Sequence, residues 1–242
     1  NSRKNMSICS HTIVKNGQPF IDLVLNQVLP FVDRAIVTVS VKSTDGTKEL
    51  LEKMAKDNPK INLIYEDVYK PDYLTYERQL QVGRTTEDWI LFLDDDDYWP
   101  TKSLDELFDY INTVADSNVT DGLAFNPIQM VDFENEDESW RYKWFTKVFP
   151  NVRGLHYRFP WPKDAIYIDN RWCYWRKNKR IRQFTNARYF HLCNLKNESF
   201  RDTDLFKDSK KFQRALGEPK EVKGYDEDLK IIYEHYKSRN TK

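Results

Sequence analysis

Through the first 115 residues, short β-branched runs alternate with segments of helical period, and this alternation constrains the fold more than any other feature. Ser7–Val14 (SICSHTIV), Arg34–Val41 (RAIVTVSV), Ile61–Tyr65 (INLIY) and Trp89–Leu93 (WILFL) read as strands. Between them, Pro19–Leu29, Lys48–Lys56 and Leu74–Arg84 space their apolar residues as helices do, and Ser103–Val114 follows Pro100 as a fourth helix. Strands and helices at this interval build βαβ units. After Gly122 the pattern becomes strand-rich and irregular, and from about Lys196 it is helical again. The expected fold is therefore α/β and Rossmann-like: a mixed, mostly parallel sheet flanked by helices, whose second half is strand-rich and then helical. At 242 residues the chain suits one large domain, read as two halves, 1–120 and 121–242.

Charge is unevenly distributed along the chain. The net charge is zero, yet residues 1–139 carry 13 basic against 26 acidic side chains, and residues 140–188 carry 13 against 2. Five of the seven tryptophans lie in that basic block. An acidic first half followed by a basic, aromatic block points to two tasks, or to two blocks that attract each other around an aromatic core. Only 17 residues are Gly or Pro, which excludes collagen-like and low-complexity chains. No apolar run reaches the roughly 18 residues of a membrane span. The opening residues, NSRKNMSICSH, lack the apolar stretch of a secretory leader. Cys9, Cys173 and Cys193 are too few and too scattered for a disulfide framework or a zinc site, so a cytoplasmic location is expected.

The WILFL strand ends in Asp94-Asp95-Asp96-Asp97. In open α/β sheets, ligands bind beyond the carboxyl ends of strands. Four adjacent carboxylates repel one another unless something positive sits among them. Hard oxygen ligands suit Mg²⁺ or Mn²⁺, commonly shared with substrate phosphates. The competing reading is an acidic cap on the helix after Pro100.

Ile13-Val14-Lys15-Asn16, Ser43-Thr44-Asp45-Gly46-Thr47, Arg78, and Leu93 to Asp97 with Trp99-Pro100 are four linked segments that together resemble family 2 glycosyltransferases of the GT-A fold. Ile13-Val14-Lys15-Asn16 resembles the end of that family's first strand, and Ser43-Thr44-Asp45-Gly46-Thr47 its turn after the second. Arg78 precedes Asp94 by 16 residues, the family's interval between its Arg-Asn helix start and its Asp-x-Asp motif. Leu93 to Asp97, followed by Trp99-Pro100, resembles that motif and its flank. The resemblance implies a nucleoside-diphosphate sugar donor, most readily a UDP-sugar, with Mn²⁺ or Mg²⁺. It implies donor contacts from Ile13, Val14, Lys15, Ser40, Arg78, Asp94 and Asp95, and metal contacts from Asp94, Asp96 and His191, with Asp97 in support. Two positions depart from the family. Ser40 stands where members carry the aspartate that bonds uracil, and Gln79 stands in place of Asn after Arg78.

Such transfer needs stabilisation of the leaving diphosphate by a metal and an arginine, and a carboxylate base for inverting displacement by the acceptor hydroxyl. Asp164 is the first choice for that base, with Asp132 and Asp169 behind it. Each could equally be a surface carboxylate paired with a nearby cation. Trp140, Trp144, Arg158, Trp161, Trp172, Trp175 and Arg176 interleave cations with aromatics, as a polyanion-binding face does. DNA with a hydroxylated base, of the kind bacteriophages modify in a host cytoplasm, is one candidate acceptor. A cell-surface or lipid-linked glycan is the alternative. From other classes, a non-catalytic nucleic-acid-binding module and a nucleotidyltransferase compete, though no Gly-rich phosphate loop supports the latter.

Overall fold

The computed structural model describes residues 6–67, 71–113, 120–130, 133, 143–159, 165–193, 195 and 224–240. Strands β1 (Ile8–Val14), β2 (Arg34–Ser40), β3 (Ile61–Glu66) and β4 (Trp89–Phe92) alternate with helices α1 (Ile21–Val28), α2 (Thr47–Asp57) and α3 (Pro71–Gly83). The four strands lie parallel in the order β3-β2-β1-β4. β1, β2 and β4 are buried almost throughout, as strands covered on both faces are, although β1 carries Ser10, His11 and Thr12 within its span. α1 turns Ile21, Val24, Leu25 and Val28 to the core, the spacing of one helical face.

A two-residue strand, β5 (Asp97–Tyr98), follows, then α4 (Thr101–Thr113), whose Leu104, Leu107 and Ile111 are buried. The second half supplies β6 (Gly122–Gln129), β7 (Phe145–Pro150), β8 (Leu155–Arg158), β9 (Ala165–Ile168), β10 (Arg171–Trp172), β11 (Ile181–His191) and α5 (Asp226–Asn240). The main sheet has eight strands, β3-β2-β1-β4-β7-β6-β11-β5. β7 runs antiparallel between β4 and β6, β11 runs parallel to β6, and β5 pairs antiparallel with β11. A separate antiparallel sheet, β10-β9-β8, packs Leu155, Ile168 and Cys173 in one cluster with Ile90, Phe92 and Phe149.

The expected mixed, mostly parallel α/β architecture is present. The Trp99-Pro100 flank is core: Trp99 is fully buried, stacked on Tyr189 with centroids 5.0 Å apart. The helical stretch expected from about Lys196 lies largely outside the described residues; its described part is α5. No helix among the described residues is long and apolar enough to cross a membrane.

Candidate active site

The aspartate run acquires its shape from backbone pairing. Leu93 N–H donates to His11 O at 3.0 Å, so the chain stays beside β1 past the end of β4. Asp97 N–H donates to Asp94 O at 3.1 Å, closing a turn. β5 then pairs Asp97 opposite His191, and Leu192 N–H donates to Asp96 O at 2.8 Å. Side chains 94 residues apart meet through this two-residue strand: His191 Nδ1 lies 2.8 Å from Asp97 Oδ1 and 3.5 Å from Asp96 Oδ1.

Asp96, Asp97 and His191 present ligand atoms all within 4.8 Å of one another. Two carboxylates and an imidazole are a donor set that suits Mn²⁺ or Mg²⁺, Mn²⁺ better because of the nitrogen. Asp94 stands outside this group. Lys147 Nζ bonds Asp94 Oδ2 and Asp97 Oδ2, each at 2.6 Å, and Arg78 Nη2 lies 3.5 Å from Asp94 Oδ1. Phe92, the last residue of β4, receives both cations: Arg78 Cζ lies 4.2 Å from its ring centroid and Lys147 Nζ 5.1 Å. Burial works against the charged form of Lys147, but Asp94 and Asp97 overcome it and raise its pKa well above the usual lysine value. Burial likewise opposes ionisation of Asp94, yet Lys147 and Arg78 hold its carboxyl well below the usual range. Asp97 is raised, because burial and neighbouring Asp94 outweigh Lys147 and His191. One of two adjacent carboxylates is thus held ionised by cations while the other resists ionisation.

Lys147 was not anticipated from sequence. Its signal is a lone cation inside the apolar β7 run Phe-Thr-Lys-Val-Phe, since a lysine buried in a sheet needs an anionic partner. Asp97, expected only in support, is the carboxylate that Lys147 and His191 share.

Of the residues expected to contact the donor, Ile13, Val14, Lys15 and Ser40 lie at the carboxyl ends of β1 and β2. Ile13 and Lys15 are half-buried, whereas Val14 is fully buried. The turn after β2 is stitched to the turn after β1. Asn16, at a left-handed φ of 53°, donates its N–H to Ser43 Oγ and accepts Thr44 N–H on its side chain. Gly17 N–H donates to Thr47 Oγ1, and Asp45 accepts from the backbone of Gln18 and Thr47. A Cβ on Gly17 would sit 2.5 Å from Val14 Cγ2 and 3.3 Å from Asp95 Oδ2, so glycine lets Asp95 approach the start of α1. Asp95 is buried. Gln79 Oε1 accepts from Tyr157 N–H at 2.9 Å, tying α3 to the small sheet.

The expected acceptor side is dispersed. Trp172 is exposed and stacked on Tyr174 at 4.7 Å, while Trp144 and Trp175, with ring centroids 6.4 Å apart, pack against the cluster of Ile90, Phe92 and Phe149. Arg176 lies 4.8 Å from the Trp175 ring centroid. Arg158 is engaged within the small sheet, bonding His156 Nε2 at 2.8 Å and Asn170 Oδ1 at 3.1 Å, over Tyr167. Arg171 and Arg180 pair with the buried Asp121, so part of the basic block neutralises a carboxylate within the fold. Asp169 sits at the β9–β10 turn with a largely exposed carboxylate 3.7 Å from Arg171. Asp132, Trp140, Trp161 and Asp164 lie outside the described residues.

The sequence profile of Glycosyl transferase family 2 matches residues 13–186. No curated protein sequence matches the chain. The fold resembles the crystal structure of S. aureus TarS 1-349, with a TM-score of 0.53 and 14% identity over 79% of this chain and 62% of that one. It also resembles TarS 1-349 in complex with UDP, with a TM-score of 0.51 and 15% identity over 76% and 60% of the two chains. At such identities the likeness is one of fold. The chain spans less than two thirds of either TarS structure.

Proposed function

This chain belongs to glycosyl transferase family 2, and from that premise we propose that it is a metal-dependent inverting enzyme. It moves a sugar from a nucleoside diphosphate, most readily UDP, to a hydroxyl of a polyanionic acceptor. The observation that carries this reading is the convergence of Asp96, Asp97 and His191 beside Lys147 and Arg78, at the carboxyl end of β4. The UDP complex of TarS 1-349 supports uridine as the donor nucleoside.

Asp96, Asp97 and His191 would hold the cation. A bound divalent cation supplies Lewis-acid stabilisation of the departing diphosphate. Arg78, fixed over Phe92, adds a positive charge where the leaving group becomes anionic. Lys147 pins Asp94 and Asp97, so that carboxylates crowded into one turn keep a fixed geometry. As the acceptor oxygen bonds the anomeric carbon and the carbon–phosphate oxygen bond breaks, the hydroxyl proton passes to a carboxylate. We assign that base to Asp164, with Asp132 and Asp169 as alternatives. Residues 1–120 serve the donor, and residues 121–242 the acceptor.

The surplus positive charge of residues 140–188 and the exposed Trp172, stacked on half-buried Tyr174, favour a polyanion, of which DNA with a hydroxylated base is the leading candidate, in a cytoplasmic setting. The test is turnover of a nucleotide-sugar panel with Mn²⁺, with and without hydroxymethylated duplex DNA or a surface glycan. UDP-sugar consumption should need Mn²⁺ and fall at least about 100-fold in Asp96→Asn. DNA-stimulated transfer should weaken steeply as salt rises. Metal-independent turnover, or full activity in Asp96→Asn, would remove the reading. Stimulation by the glycan alone would move the acceptor to the other class.

A further inference from the structure

We infer that Glu77 reads the donor base, supplying from α3 the carboxylate that Ser40 lacks at the end of β2. This inference rests on the proposed nucleoside-diphosphate donor.

α3 lies over β1 and β2, and its contacts fix its level along the strands. Thr85 Oγ1, just past the helix, is 2.6 Å from His11 Nε2. One turn earlier, Gln81 Nε2 donates to Thr12 O at 2.8 Å and Thr38 Oγ1 at 3.0 Å. α3 connects the parallel strands β3 and β4 by way of the sheet face, so it runs antiparallel to them. Glu77 is one further turn toward its start, about 5.4 Å nearer the carboxyl ends of the strands. Two strand residues advance about 6.6 Å and return to the same face. Since His11 and Thr38 face α3, so do Ile13, which pairs with Thr38 at the level of Gln81, and Ser40, one step further on at the level of Glu77. The β2–β3 register places Glu66 beside Ser40 on that face.

At that level Glu77 is anomalous. It is only 3% exposed, and its Oε2 has no hydrogen-bond partner among the described residues. Burial, reinforced by Glu66, disfavours its charged form, with Arg84 opposing. A buried carboxylate oxygen without a donor costs free energy unless a ligand brings one. The Ser40 hydroxyl accepts Lys42 N–H at 3.3 Å within its own turn and offers no acceptor pair of the kind a carboxylate has. The complement to Glu77 is a base edge with an imide N–H, as in uracil. Cytosine presents a lone pair at the same ring position and is disfavoured there.

The test is titration calorimetry with UDP, CDP and pyrophosphate in Mn²⁺. Glu77→Gln should weaken UDP about 10- to 100-fold, leave pyrophosphate within about twofold, and narrow the UDP-over-CDP preference, because an amide can donate to cytosine. Ser40→Asp in the Glu77→Gln background should restore UDP affinity. Unchanged UDP affinity and base preference in Glu77→Gln overturns the inference. So does an equal loss of UDP and pyrophosphate with a lowered melting temperature, unrelieved by Ser40→Asp, because Glu77 would then be structural. If the wild-type protein binds neither UDP nor pyrophosphate, the donor reading itself falls, and this inference with it.

Discussion

Lys147 brings a positive charge into a nearly solvent-free position between Asp94 and Asp97, and the aspartate run depends on it. Removing one member of such a buried group leaves its partners uncompensated, at a cost of about 3–5 kcal/mol. Lys147→Met should therefore lower the unfolding free energy by about that amount in a urea titration, and Asp97→Asn in the same chain should recover part of it. An unchanged midpoint in Lys147→Met would show that the two carboxylates do not need the cation. At this scale the sequence was only partly legible. The four aspartates, Arg78 and His191 stood out because their chemistry is concentrated or their spacing familiar. Lys147 did not, because its meaning comes from β7 lying against β4, a contact between residues more than 50 apart. Glu77 was hidden similarly, since a single glutamate on a helix reads as solvated until its burial is known.

Among the elements, α5 shows how a late segment can be tied to an early one. Tyr236 stacks on Phe20 at 5.9 Å, and Leu229 and Ile232 are buried. A polar contact closes the helix's far end. Arg239 pairs with Asp22 of α1, and His235 Nε2 lies 2.8 Å from Pro19 O and 3.1 Å from Asp22 Oδ1. Burial alone would raise the pKa of Asp22; the bond from His235 and the charges of His235 and Arg239 outweigh it and lower the value. A carboxyl with a depressed folded pKa contributes stability that is complete above its unfolded value, about 3.9, and lost as pH falls through the folded value. Hydrogen-exchange protection in α5, taken relative to the intrinsic amide rate at each pH, should therefore fall below about pH 4. Asp22→Asn should show fast exchange at pH 7 already, with on the order of 1 kcal/mol less protection and a weaker acid step. Equal protection in both proteins at pH 7 would contradict this. The regular elements of the first half were readable because βαβ units are local and their periods clear. β5 was not, since two residues carry no period. The parallel pairing of β6 with β11 was not either, because it joins segments about 60 residues apart through an irregular register.

Across the whole molecule, the main sheet joins the acidic and basic halves, and the candidate site lies where they meet. Asp94 to Asp97 and Arg78 come from the first half; Lys147 and His191 come from strands of the second. The charge asymmetry in the sequence thus has two uses within the fold: Lys147 among the aspartates and Arg171 with Arg180 around Asp121. The central claim is that these carboxylates hold a divalent cation which in turn grips a nucleoside diphosphate. By linkage, metal and nucleotide must then raise each other's affinity by the same factor. Calorimetric titration of UDP with and without Mn²⁺, in the wild type and in Asp96→Asn, tests this most directly. The account predicts that Mn²⁺ tightens UDP at least about tenfold in the wild type and not in Asp96→Asn. UDP affinity indifferent to Mn²⁺, or equally enhanced in Asp96→Asn, would contradict it.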